Sequence, residues 1–146
     1  KADSMEQELS TIEDALRNSG RRYVAVGEIG FDLYWDKTTL AIQHGAFERQ
    51  VAWAKELGLP IVIHVREAFE ALFEAMDRLN DDRLSGVVHC FTGDLEQAER
   101  VLAYGDFYVL LLGIVILFQS MLFFRFLEQE NPMVFFVLEF FYRCSF

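Results

Sequence analysis

Residues 58–64 read Gly-Leu-Pro-Ile-Val-Ile-His (GLPIVIH), and this stretch decides the fold class. Gly58 ends a helical pattern that carries Phe47, Val51 and Ala54 on one face, and Pro60 prevents that helix from resuming. Pro60–His64 is then an apolar, β-branched run without polar alternation. That is the pattern of a strand covered on both faces, as in a parallel sheet wrapped by helices. The same unit recurs on either side. Upstream, Tyr23–Ile29 (YVAVGEI) is a strand behind a helix with Met5, Leu9, Ile12 and Leu16 at helical spacing. Ser4 and Gln7 have the spacing of a capping box for that helix, and Gly20 marks its end. Downstream, Ala68, Leu72, Met76 and Leu79 mark a helix and Val87–Phe91 (VVHCF) a strand. Asp94 with Gln97 caps a further helix carrying Leu95, Ala98 and Leu102 up to Gly105. Phe107–Ile116, residues 119–130 and Val134–Glu139 continue as strand, helix and strand. About five strand–helix units follow, an α/β chain suited to a (β/α) barrel or a doubly wound sheet.

The length of 146 residues predicts a single domain, 1–146. Charge is distributed unevenly along it. Residues 107–146 hold only three of the 23 acids and two of the 13 bases, with 10 of the 15 phenylalanines, so composition changes abruptly near position 107. The run 107–118 is wholly apolar, but Gln119 and Ser120 interrupt it before a membrane-spanning length and no basic cluster flanks it; a membrane is not expected as a partner. A net charge of −10 excludes the basic footprint of non-specific DNA binders, so a polyanionic substrate has to be met locally, by metal ions. Cys90 and Cys144 form no Cys-x-x-Cys spacing and no disulfide scaffold, which favours a reducing, cytoplasmic setting. No G-x-G-x-x-G or P-loop pattern follows any strand, which argues against a nucleotide-binding fold.

Three consecutive strands carry a metal-capable side chain near their C-terminal ends: Glu28 in VAVGE, His64 in PIVIH and His89 in VVHCF. In a parallel barrel those ends share one rim, so the three groups converge there. Imidazole nitrogens and carboxylate oxygens suit Zn²⁺, Mn²⁺ and similar ions. Each residue taken singly has a plainer explanation: a hydrogen-bonded structural histidine, or a Glu28–Arg66 ion pair. The conjunction is what points to a metal. His44, within the second helix, reads as helix surface or loop.

GEIGFDLYWDK (27–37), LPIVIHVREA (59–68) and VVHCFTG (87–93) resemble, in order and spacing, the signature segments of the TatD family of metal-dependent deoxyribonucleases. The intervening QHGAFERQVAWAKELGLP fits the same pattern, and the resemblance runs over about residues 20–108. It implies a TIM (β/α) barrel of the metal-dependent hydrolase type that cleaves DNA phosphodiester bonds with one or two divalent ions (Mg, Mn or Zn). By position, Glu28, His64 and His89 would be metal ligands. Arg66, Thr92 and Gly93 would bind substrate, Arg66 through a bidentate phosphate contact, with pairing to Glu67 or Glu70 as its alternative. Asp32, Tyr34 and Trp35 fall on the loop after the Glu28 strand, where they shape a groove or a stacking surface, or, for Trp35, simply pack. DNA is the implied partner, and no stable protein partner is indicated.

Two departures bear on activity. The family's opening His-x-His strand is absent, so the chain reads as the middle of an incomplete barrel. Where the family has a metal-binding, water-orienting Asp, this sequence has Phe141, which can neither ligate a metal nor accept a proton. The alternatives are therefore an amidohydrolase-type barrel acting on a small amide or ester, and a catalytically dead fragment.

Overall fold

The computed structural model describes residues 2–111. Helix and strand alternate throughout: α1 (Ala2–Asn18), β1 (Val26–Asp32), a 3-10 turn (Lys37–Thr39), α2 (Leu40–Leu57), β2 (Ile61–Arg66), α3 (Phe69–Leu79), β3 (Gly86–Val88), α4 (Leu95–Leu102) and β4 (Phe107–Val109). The strands form one sheet in the order β1-β2-β3-β4, and every pairing is parallel. α2, α3 and α4 thus serve as the crossovers between adjacent parallel strands, the repeating unit of a barrel wall, and α1 leads into β1. The fifth strand expected at Val134–Glu139, the helix at 119–130 and Phe141 lie outside the described residues. So does part of the expected single domain.

Local signals explain most boundaries. Gly58 caps α2 in the left-handed region, with φ of 64°, and its N–H donates to the Ala54 carbonyl. Asp94 and Gln97 form the expected reciprocal capping box on α4. At α1 the expectation needs correcting: the helix begins at Ala2, so Ser4 lies inside it rather than at its cap. β1 is also displaced from the expected Tyr23–Ile29. Pairing begins at Val26, whose N–H donates to the Pro60 carbonyl, and it continues to Asp32 because β2 runs on to Arg66. β3 is shorter than Val87–Phe91, since Cys90 turns the chain with a φ of 47°. The ladder nevertheless extends past its end, with His89 N–H on the Ile63 carbonyl at 3.0 Å.

Along β2 the side chains alternate: Ile61, Ile63 and Val65 are buried, whereas Val62, His64 and Arg66 are half-exposed. The buried set meets Phe47 and Val51 of α2, Leu72 and Met76 of α3, and Val88 and Phe107 of the neighbouring strands. Each such side chain contributes about 1.5–3 kcal/mol by leaving water. Burial on both sheet faces, expected from the apolar runs, holds only for the helix side among the described residues. On the other face Val62 and Val87 are half-exposed and Tyr108 of β4 is 67% exposed. Ion pairs tie each helix to the next: Arg17 to Glu56 and Arg49 to Glu6 (α1–α2), Arg78 to Glu48 (α2–α3), and Arg100 to Asp77 (α3–α4). No helix among the described residues is long and apolar enough to cross a membrane.

Candidate metal centre

Glu28 owes its position to a β-bulge. Val26 pairs with Ile61 and Gly27 with Val62, but Ile63 then pairs with Ile29, leaving Glu28 as the extra residue. A bulge inserts one residue and flips the alternation beyond it. Ile29 and Phe31 consequently enter the helix-side core, while Gly30 and Asp32 come opposite His64 and Arg66. Gly30, with φ of 145°, sits so close to β2 that a Cβ there would collide with the His64 carbonyl oxygen. Only glycine lets β1 approach His64 in this way.

His64 lies within β2 on the half-exposed face, and His89 follows β3 directly at 7% exposure. Their ring centroids are 5.5 Å apart. Glu28 Oε1 is buried and stands 2.6 Å from His89 Nε2. One ligand atom each from Glu28, His64 and His89 lies within 4.8 Å of the others. Donors sharing one ion at about 2.0–2.2 Å stand up to roughly 4.4 Å apart, so small side-chain adjustments would let this carboxylate–diimidazole set hold a metal. The donor chemistry therefore fits a divalent ion. Strand-end placement, expected for Glu28 and His64, is corrected: both lie inside their strands, because β1 and β2 each run on beyond them.

Asp32 is the residue whose part the sequence did not disclose. It ends β1 instead of lying on the following loop, and its Oδ2 is 3.2 Å from His64 Nε2. Its other oxygen accepts the Tyr34 N–H at 2.9 Å. The Asp32 backbone is held in turn by Gln43 of α2, which accepts from its N–H at 2.7 Å and donates to its carbonyl at 2.8 Å. A carboxylate held at both ends and resting on an imidazole is a usual way to orient a metal-ligating histidine. Asp32 at the end of a GEIGFD run was the available signal.

The remaining residues separate. Arg66, opposite Asp32 in register, stacks its guanidinium 3.5 Å from the Tyr34 ring centroid. It enters none of the ion pairs found among the described residues, so the alternative of pairing with Glu67 or Glu70 is not adopted. Thr92 is exposed, and Gly93 is hemmed in by Gln97, Phe91 and Phe69, so packing alone accounts for that glycine. His44 is in α2 but half-buried, its ring 4.7 Å from Phe31 in an edge contact, which corrects the surface reading. Glu67 and Cys90, just past Arg66 and His89, both adopt positive φ, 52° and 47°. Strain of this kind, about 1–3 kcal/mol per residue, clusters at functional rims.

Known proteins resemble this chain in sequence and in fold. The family model described as TatD related DNase matches residues 1–139, extending well into the Phe-rich stretch. An uncharacterized metal-dependent hydrolase, YabD of Bacillus subtilis, is 38% identical over 98 residues, 67% of this chain and 38% of its own length. The 3'-5' ssDNA/RNA exonuclease TatD of Yersinia pseudotuberculosis is 37% identical over 103 residues, 70% of this chain and 38% of its own. Among solved structures, the TatD homolog YjjV of Escherichia coli superposes with a TM-score of 0.64 at 34% identity, covering 71% of this chain and 39% of that one. A TatD family hydrolase from Entamoeba histolytica gives 0.59 at 26% identity, over 75% and 37%. The chain thus spans about 38% of the length of the curated relatives it matches. With its parallel wall of strand–helix units and three converging donors, it belongs to the TatD related DNase family of metal-dependent hydrolases, built on the TIM-barrel fold.

Proposed function

We propose that the complete protein hydrolyses DNA phosphodiester bonds, with one or two divalent ions (Mg, Mn or Zn) held in part by Glu28, His64 and His89. The observation that carries this reading is the approach of one carboxylate and two imidazoles, from three neighbouring strand regions, to within 4.8 Å. A divalent ion bound there supplies Lewis acidity toward a phosphoryl oxygen and a more acidic water. The chain's own residues do the rest. Asp32 fixes the tilt of the His64 ring. Arg66, outside the ion pairs of the described residues, offers its guanidinium fork to a phosphate oxygen pair. Thr92 and Gly93 offer backbone N–H groups at the turn before α4, where the Asp94 carboxylate already occupies the helix N-terminus. The well-separated cysteines support a cytoplasmic setting.

The test is hydrolysis of an end-labelled single-stranded oligonucleotide by the complete protein with Mn²⁺, against a chelator control and a panel of small amides and esters. Cleavage of DNA alone, lost at least 100-fold in both His64→Ala and His89→Ala, is the expected result. Full activity in both variants would sink the ligand assignment. Turnover of an amide or ester without DNA cleavage would transfer the reading to an amidohydrolase. Metal binding with no turnover would identify a non-catalytic remnant.

A further inference from the structure

Beside the three donors stands an aromatic pair that the core does not use. Trp35 is 81% exposed and Tyr34 45%. Their rings meet edge to face at 4.7 Å and 89°. The loop carrying them is clamped at both ends: Asp32 accepts the Tyr34 N–H, and Asp36 accepts both the Thr38 N–H at 2.9 Å and its hydroxyl at 2.6 Å. Arg66 covers one face of Tyr34 at 3.5 Å and lies 5.9 Å from the Trp35 centroid. The group adjoins the candidate metal centre through two short links. Asp32 touches His64, and Arg66 is two residues beyond His64 on the same strand face.

We propose that Trp35 is a stacking platform for one unpaired nucleobase of a single-stranded DNA substrate, with the adjoining phosphate received by Arg66. The inference rests on the nuclease reading above and specifies its substrate. An exposed indole offers its π-face, and a base offers a matching face only when it is out of the duplex stack. A cation already seated on Tyr34 sets a phosphate-binding group about one ring away from that face. Stacking also needs no positive surface, which suits a chain of net charge −10. Edge contact with Tyr34 and the two aspartate clamps hold the platform in place before substrate arrives, so little ordering cost falls on binding.

The experiment uses the complete protein, a fluorescein-labelled single-stranded DNA, and a fully abasic strand of equal length and charge. Binding is followed by anisotropy in chelator. Trp35→Ala is expected to weaken binding of the normal strand about 10-fold or more and to leave the abasic strand's affinity unchanged. Trp35→Phe should restore most of the loss. Mn²⁺ affinity, measured separately by calorimetry, should be the same in all three proteins, which excludes general damage to the rim. If Trp35→Ala binds both strands as the parent does while the parent still cleaves DNA, the platform is wrong and the nuclease reading stands. If the parent neither binds nor cleaves DNA, the nuclease reading fails and the platform with it.

Discussion

At the scale of single residues, the site divides into groups recognisable by type and groups recognisable only by contact. Glu28, His64 and His89 are legible because a carboxylate and two imidazoles are rare in otherwise apolar strands. Asp32 is not, since aspartate is ordinary after a strand and nothing local says that its carboxylate reaches His64 across 32 positions of sequence. Its role yields a direct prediction. Asp32→Ala should lower Mn²⁺ affinity about 10- to 100-fold, the usual cost of losing a carboxylate behind a histidine ligand, and titration calorimetry on the complete protein would measure it. Unchanged affinity would reduce Asp32 to a turn residue serving Tyr34. The indole of Trp35 makes the same point: its sequence context permits packing, whereas in the structure it meets the edge of Tyr34 and is 81% exposed.

At the scale of elements, β1 and the helix clamps govern where the site sits and how long it survives. Gly30 is the contact point between β1 and β2 at His64, so Gly30→Ala should destabilise the protein by about 2 kcal/mol or more, through both strain and collision. Because the displaced neighbour is the His64 backbone, metal affinity should fall together with the melting temperature. The clamps respond to pH. A hydrogen bond from the Tyr104 hydroxyl and the charge of Arg100 hold the Asp77 carboxyl below its ordinary range; Arg17 does the same to Glu56, and Arg83 with Lys55 to Asp81. Since these folded-state values lie below unfolded ones of about 4, the stabilisation is complete above about pH 5 and disappears as pH falls through the folded values. Burial and its hydrogen bond to Asp77 push Tyr104 the other way, up to about 12, so its contribution is complete below about pH 10 and fades as pH rises through 12. Melting temperatures should therefore decline at both extremes, and Asp77→Asn should flatten the acid limb. An acid limb unaffected by that change would show that the α3–α4 clamp is not what acid breaks.

At the scale of the molecule, the described sheet is a barrel wall with two open sides. β1 and β4 each have one hydrogen-bonded neighbour among the described residues, and the face carrying Val62, Val87 and Tyr108 is partly exposed. Eight parallel strands close a barrel of this type, and the chain spans about 38% of its relatives' length. Binding of a divalent ion should couple to the stability of the whole. The candidate donors Glu28, His64 and His89 come from three strand regions that a shared ion would join, so an ion present at 100 times its dissociation constant should add about 2.7 kcal/mol. Calorimetric melting of the complete protein with Mn²⁺ and then with chelator would measure this as a reversible upward shift. No shift would mean that the donors do not share an ion in the folded state.

The alternation of helix and apolar strand, the stops at Gly58 and Pro60, the capping box at Asp94 and the three donor residues are properties of the sequence, because each depends on neighbours a few positions away. Register is different. Whether Glu28 sits in a bulge, whether Asp32 reaches His64 and which faces β1 presents depend on pairing with β2, about 35 residues downstream. A one-residue slip reverses every side chain in a strand, so only the assembled sheet decides which groups meet at the rim and which aromatic rings remain in water.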